Sequence, residues 1–380
     1  MRILHTADWH LGANLERFSR IEEQAAMISG IVKVARDEGA DLLLLSGDVY
    51  DSANPSAMAE GLFYHAMAEL SAVCPVVIVA GNHDSHERLA APLPLGQRLG
   101  IDIITSPSAT ALRYNIGGQE LYIAPLPYIT ERRLGQNFMP KDFGASEAEF
   151  QQHFSKKVAA ILRSQAQAFK ADAVNIAMGH FHIRGGAISA GAERDIQLGG
   201  VFAVDAAAFE GVEHLQYVAM GHLHRPQTVG TAHYAGSPMP YSLNEAAYPH
   251  GVNMVDISPR AQPKVTFIPL QTHRPILPMT FEHVDAALQG LAQADEGALI
   301  YVRISKMPFI AASDIQAIRS AHPHVIDISL TSQKNNISQT PSTTEVKGIL
   351  EEFVNFYTHG RGEAPSADVL KMFSDICNND

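Results

Sequence analysis

Five times before residue 225, a short apolar run ends in a cluster of metal-binding side chains. Residues 2–7 lead into Asp8-Trp9-His10, and residues 41–46 into Gly47-Asp48. Residues 76–80 lead into Gly81-Asn82-His83-Asp84, residues 173–178 into Gly179-His180, and residues 216–220 into Gly221-His222-Leu223-His224. Such runs read as buried strands covered on both faces. A chain built this way is constrained to an α/β fold, with its polar clusters beyond the carboxyl ends of the strands, where sites form in open sheets.

The segments between these runs fill in the architecture. Helices are expected over residues 16–38, 54–71 (with Pro55 in the first turn) and 146–169, and partly over 87–98. Further strands fall near residues 101–105, 112–116 and 119–124, with Gly117-Gly118 as a hairpin turn. Strand–helix–strand order followed by hairpins predicts a two-sheet α/β sandwich with helices outside. Residues 269–280 hold three prolines and read as a boundary. A small α/β module follows over 281–331, with a helix at 281–293. After a polar linker at 332–341, two one-faced helices at 342–357 and 366–376 end the chain. The expected division is therefore residues 1–270, 281–331 and 342–377.

Composition narrows the chemistry. With only Cys74 and Cys377, a disulfide framework is excluded and a thiolate metal site is disfavoured. No apolar run is long enough to span a bilayer and no signal-peptide core is present, so a cytoplasmic protein without membrane contact is expected. A net charge of −12 argues against bulk attraction to nucleic acid. It leaves room for a site whose cations supply the positive charge.

The clusters offer Asp8, His10, Asp48, Asn82, His180, His222 and His224 as ligands, with His83 and Asp84 set aside. Oxygen and imidazole donors together suit manganese, iron or zinc better than magnesium. Seven ligands are too many for one ion and suit two, about 4 Å apart and sharing a carboxylate, an arrangement used for in-line attack at phosphorus. Asp8 and His10, like His222 and His224, are spaced to point the same way from extended backbone. The glycines before Asp48, Asn82, His180 and His222 permit tight turns. His182 offers a second imidazole beside His180; its position directly after glycine favours His180.

The ordered clusters resemble the calcineurin-type metallophosphoesterase family. The wider wording is closer still to its DNA nuclease subunits, in His5-Thr6-Ala7-Asp8-Trp9-His10, in Gly221-His222-Leu223-His224-Arg225-Pro226-Gln227 and in Gly236-Ser237-Pro238-Met239-Pro240-Tyr241-Ser242. The resemblance is strong to about residue 257 and one of layout beyond. It implies a metallophosphoesterase-type sandwich with a small capping domain and C-terminal helices. Asp8, His10 and His224 would hold one ion, and Asn82, His180 and His222 the other, with Asp48 bridging. His83 would act on the leaving oxygen, with Asp84 orienting its ring. Family members of this kind are manganese-dependent, act on DNA ends and hairpins, and work with a coiled-coil ATPase. The resemblance also implies a homodimer within a heterotetramer, paired through the helix that carries Met58, Leu62, Phe63, Met67 and Leu70.

Two other functions share these residues. One is a phosphoesterase of the same fold acting on small phosphodiesters, against which the extra chain after residue 270 argues. The other is a non-catalytic scaffold of a DNA-tethering complex, against which the complete ligand set argues. Arg17, Arg20, Arg88 and Arg225 lie near the site in sequence and are candidate phosphate contacts, each equally readable as an ordinary surface cation.

Overall fold

The computed structural model describes residues 1–129, 147–189 and 203–331, and beyond them Tyr357, Pro365, Ser366, Val369 and Leu370. The chain opens with β1 (Arg2–Thr6), the small hairpin β2 (Asn14–Leu15) and β3 (Phe18–Ser19), and α1 (Ile21–Asp37). β4 (Leu42–Ser46), α2 (Ala57–Ser71), β5 (Val76–Val79), α3 (His86–Ala90), α4 (Leu93–Gly96) and β6 (Ile101–Ile104) follow. Next come β7 (Leu112–Ile116), β8 (Gln119–Leu126), α5 (Glu147–Ala166), β9 (Val174–His180), β10 (Tyr217–Gly221), β11 (Gln227–Val229) and β12 (Ala232–Tyr234). β13 (Gly251–Asp256) and β14 (Lys264–Pro269) precede a smaller group: β15 (Ile276–Phe281), α6 (Val284–Leu291), β16 (Leu299–Ile304), α7 (Ala312–Ala321) and β17 (Val325–Leu330).

Two six-stranded sheets result, ordered β14-β13-β1-β4-β5-β6 and β11-β12-β10-β9-β8-β7. Their centres are parallel: β1, β4, β5 and β6 in one, β8, β9, β10 and β12 in the other. This brings the carboxyl ends of β1, β4, β5, β9 and β10 to one edge of the sandwich. β4 shows why the runs lack polar alternation. Leu42 and Leu44 face the opposing sheet with Ile176, Met178 and Ala219, while Leu43 and Leu45 face the layer of α1 and α2. Each such side chain contributes roughly 1.5–3 kcal/mol by leaving water. On the far side α5 covers the second sheet with Phe154, Val158 and Leu162. The expected two-sheet α/β sandwich with outer helices is the fold observed.

Several local expectations shift. α1 starts at Ile21 rather than residue 16, because residues 14–19 form the hairpin and Glu16 takes a positive φ (51°) in its turn. Pro55 lies outside α2: Ser56 is the N-cap, its hydroxyl accepting from Ala59 N at 3.2 Å. The proline-rich boundary at 269–280 instead contains β15. Pro278 is tolerated there because β15 is the edge of the order β15-β16-β17 and pairs on one side only. The following helix accordingly begins at Val284, not residue 281.

The small group has a core of its own, built on Ala287, Leu291, Ile300, Val302 and Ile318. Residues Met1–Thr331 nonetheless form one compact unit. Leu15, Ile276, Leu299 and Ile326 pack together across the expected boundary. The expected linker and paired helices at 332–377 lie almost wholly outside the described residues. Among the described residues no helix is long and apolar enough to cross a membrane.

Candidate metal centre

Beyond β1 and β4 the backbone enters an unusual conformation. Asp8, His10 and Asp48 all adopt positive φ, at 55°, 42° and 48°, next to Gly47 at 86°. Such torsions cost free energy in non-glycine residues and persist only where surrounding bonds enforce them. Here Asp8 N donates to Gly47 O (3.0 Å), His10 N to Asp48 O (3.0 Å) and Leu11 N to Val49 O (2.9 Å). The loop after β5 is tied in through the buried Asp84 carboxylate, which accepts from Gly81 N (2.8 Å), Val49 N (3.2 Å) and Tyr50 N (3.0 Å). A Cβ on Gly81 would lie 2.1 Å from Asp48 Oδ1, so close approach rather than turn geometry demands glycine there. At Gly47 both apply: its φ is positive, and a Cβ would lie 2.2 Å from His180 Nδ1.

The side chains converge. His10 Nε2 and His224 Nε2 face each other at 3.1 Å. Asp48 Oδ2 lies 3.6 Å from His10 Nε2 and 3.3 Å from His180 Nε2. Asn82 Oδ1 is 3.0 Å from both His180 Nε2 and His222 Nδ1. Asp8 Oδ1 accepts from His222 N (2.9 Å), while its buried Oδ2 has no hydrogen-bond partner. Three overlapping groups bring their ligand atoms within 4.8 Å of one another: Asp8, His10 and His224; His10, Asp48 and His83; Asp8, Asp48 and His180. An orphaned buried carboxylate oxygen and imidazole nitrogens aimed at one another are what a cation between them resolves. The residues therefore fit divalent metals.

Charges respond to this crowding. Burial acts to raise Asp48, but the imidazoles of His180, His83 and His10 overcome it and hold the carboxyl well below the usual range. Burial likewise opposes protonation of His180, and Asp48 reverses this, lifting it to about 9. Burial and the neighbouring His180 drive His222 the other way, well below the ordinary imidazole range. A cation bound among these groups displaces the protons they share.

Residues 1–226 match the Calcineurin-like phosphoesterase family. That span contains every residue assembled above. The chain is 33% identical to the SbcD subunit of the SbcCD nuclease of Bacillus subtilis (strain 168), over 100% of this chain and 98% of the relative. The chain belongs to the SbcD family of calcineurin-like phosphoesterases. A second family member, the SbcD subunit of the Rhodobacter capsulatus SbcCD nuclease, is 35% identical over 80% of each chain. A solved dimetal phosphatase from Danio rerio aligns with 70% of this phosphoesterase and 98% of its own chain, at 14% identity and a TM-score of 0.39.

All nine residues singled out in the sequence of this phosphoesterase meet at one sheet edge, but one role differs. Asp84 does not orient the His83 ring. Its two oxygens are taken by the three main-chain N–H groups named above, and His83 Nδ1 instead lies 2.7 Å from Asp51 O. Asp84 therefore holds loops rather than a ring. His180, not His182, lies in a ligand cluster; His182 is half-buried at the start of the next loop, where burial lowers its pKa. Of the four arginines, Arg20 is fully buried, its guanidinium on Glu23 (2.6 Å) and Pro240 O (2.8 Å), so no phosphate reaches it. Arg88 bonds Glu60, while Arg17 lies over Phe18 and Arg225 over Tyr248.

The structure adds residues that the sequence reading did not single out. Gln24 donates to His10 O (2.8 Å) and accepts from Gly12 N (2.9 Å), pinning the first loop to α1. The Tyr241 hydroxyl bonds Trp9 O, and its ring lies edge-on to His10 and His224. Buried Glu245 faces His224 Nδ1 at 3.3 Å. Tyr241 lay within the wording that resembles the family, and Glu245 had a local signal, a serine three residues before a glutamate, here Ser242 opening a short 3-10 turn over Leu243–Ala247.

Proposed function

We propose that this chain is the metal-dependent nuclease subunit of an SbcCD-type complex, cleaving phosphodiester bonds at DNA ends and hairpins by two-metal in-line hydrolysis in DNA repair and recombination. The observation that carries it is the convergence of Asp8, His10, Asp48, Asn82, His180, His222 and His224 in one largely buried cluster, in a family of phosphodiester-hydrolysing enzymes.

Asp8, His10 and His224 would hold one ion and Asn82, His180 and His222 the other, with Asp48 available to both. Two divalent cations, manganese by the family resemblance, would supply Lewis-acid activation of water and phosphate there. The protein's own part is to hold the imidazole ligands by their distal nitrogens. His180 Nδ1 donates to Ser46 O at 2.8 Å, which leaves Nε2 to bind. His83 lies at the more open side of the cluster, with Nδ1 committed to Asp51 O, and its other nitrogen protonates the leaving oxygen. Burial opposes protonation of His83, and Asp48 and Asp51 overcome it and raise its pKa.

The reading extends to assembly. Phe63, Met67 and Leu70 of α2 pack inward, whereas Met58 and Tyr64 are 66% and 46% exposed. These two support pairing of two copies through α2, as a homodimer within a heterotetramer. An SbcC-type coiled-coil ATPase is the partner of residues 342–377, with residues 1–270 as nuclease and 281–331 as capping domain. The complex acts in the cytoplasm on the nucleoid.

The deciding test is manganese-supplemented hydrolysis of linear duplex and hairpin DNA beside bis-p-nitrophenyl phosphate, with His83→Ala as control. Cleavage of DNA by wild type and not by the variant is expected; turnover of the small diester alone would transfer the enzyme to small phosphodiesters. Met58→Asp should convert the dimer to one chain in light scattering. Deleting residues 341–380 should leave cleavage intact and abolish co-purification with the ATPase.

A further inference from the structure

The imidazole ligands of the two halves are backed differently. His180 Nδ1 rests on a main-chain carbonyl, Ser46 O. His224 Nδ1 instead faces a carboxylate, Glu245 Oε1, at 3.3 Å, and that carboxylate is completely buried.

A buried carboxylate is costly unless its lone pairs are met. Those of Glu245 are met from several sides. Oε1 accepts from Ser242 Oγ (3.1 Å), and Oε2 from Tyr241 N (3.0 Å) and Ser237 Oγ (3.3 Å). The turn that carries it packs against His250, whose ring nitrogens lie 2.9 Å from Glu245 O and 3.0 Å from Ser237 O. His224 is tied to the same segment by Ser237 N donating to His224 O (3.0 Å). The carboxylate is thus fixed in place before any ion arrives.

We propose that Glu245 is the positioning residue for His224, so that the ion held by Asp8, His10 and His224 depends on Glu245 while the ion held by Asn82, His180 and His222 does not. With Nδ1–H facing Oε1, the lone pair of His224 is placed on Nε2, the atom that faces His10 Nε2 at 3.1 Å. The negative charge behind the ring also makes that nitrogen a stronger donor to a cation. His180 differs: the carboxylate oxygen facing its Nδ1, Asp8 Oδ1, is 3.9 Å away and belongs to a ligand. In Glu245→Gln the side chain keeps its length, but its NH2 group must face either Ser237 and Tyr241 or the ring nitrogen, so one interaction is lost in either orientation.

The inference rests on the ion positions proposed above, and the test separates the two. Manganese chloride is titrated calorimetrically into the full chain stripped with EDTA, as wild type, Glu245→Gln and Asn82→Ala. Wild type should take up two ions; uptake of fewer overturns the two-ion reading, and this proposal with it. With two ions in wild type, Glu245→Gln should weaken one step by about 10- to 100-fold and leave the other within about twofold. Combined with Asn82→Ala, it should weaken the step that remains. Wild-type affinity for both ions in Glu245→Gln overturns the proposal while leaving the two-ion site intact. The thermal transition in EDTA is the check on folding, and it should move by no more than the loss of one buried hydrogen bond allows. If it falls further, Ser242→Ala decides: it removes one hydroxyl from the carboxylate and should weaken the same step about three- to fivefold. Unchanged affinity in that variant overturns the assignment.

Discussion

The two halves of the metal centre are built by different means. The half supplied by the first sheet, with Asp8, His10, Asp48 and Asn82, is held through the backbone. Its loops exchange main-chain hydrogen bonds, and Asp84 ties the third loop to the second. The half supplied by the second sheet, with His180, His222 and His224, is held through its side chains. The His180 ring is held by Ser46 O behind it, and the His224 ring has the Glu245 carboxylate behind it at 3.3 Å. A carboxylate or amide ligand needs its loop fixed, whereas an imidazole also needs its tautomer fixed, and that requires a second partner at the far nitrogen.

The largest effect expected on this comparison comes from Asp48, which the first half supplies but which lies against imidazoles of both. Asp48→Asn removes the charge that lies 3.3 Å from His180 and 3.6 Å from His10. It should bind neither ion well and show no cleavage above the metal-free background; an active variant would mean that the halves do not share this residue. His83→Ala comes next. It should slow DNA cleavage by about 10²- to 10⁴-fold while calorimetry still counts two manganese ions. Wild-type cleavage by that variant would remove His83 from the chemistry.

Asp84→Ala tests the backbone-held half. It leaves three main-chain N–H groups without their acceptor and should lower the unfolding free energy by about 3 kcal/mol or more in urea titrations. Loss of cleavage with unaltered stability would return Asp84 to a role at the His83 ring.

The smallest expected effect lies between the sheets. His5 on β1 bonds the Tyr217 hydroxyl on β10 at 2.9 Å, and burial, with His233 nearby, pushes its pKa down to about 3. The folded protein therefore keeps His5 neutral, while the unfolded chain takes up a proton near its ordinary value of 6.5. Stability from this site is complete above that pH and is lost as the pH falls from there toward 3. Between pH 6.5 and 4.5, wild type should lose about 2–3 kcal/mol more than His5→Gln, as measured by denaturant unfolding. Parallel pH profiles would show that His5 is hydrated rather than sealed between the sheets.

Much of this was legible beforehand. The apolar runs marked β1, β4, β5, β9 and β10, because a strand covered on both faces has no polar positions to hide. The chemical types of the ligands, and their gathering at the carboxyl edge, followed from those runs. Failures occurred where a local signal had a rival. The helical pattern from residue 16 was interrupted by a hairpin whose turn places Glu16 at positive φ. The prolines near residue 278 read as a boundary without strand signals and hid β15, because an edge strand tolerates what a central strand does not.

The sequence alone determined the main strands and the candidate ligand set, which reside in spacing along short stretches, and its wording pointed by resemblance to the family. Only the tertiary structure decided which group backs which. Asp84 follows His83 directly, yet its carboxylate binds Val49 N and Tyr50 N, while the His83 ring takes Asp51 O from another loop. His180 meets Ser46 across 134 positions of chain, and His222 N meets Asp8 across 214. Hydrogen bonds act over about 3 Å of space, whatever the separation along the chain. Periodicity and turn chemistry reach only a few residues, so the partners that orient the ligands emerge when the two sheets close face to face.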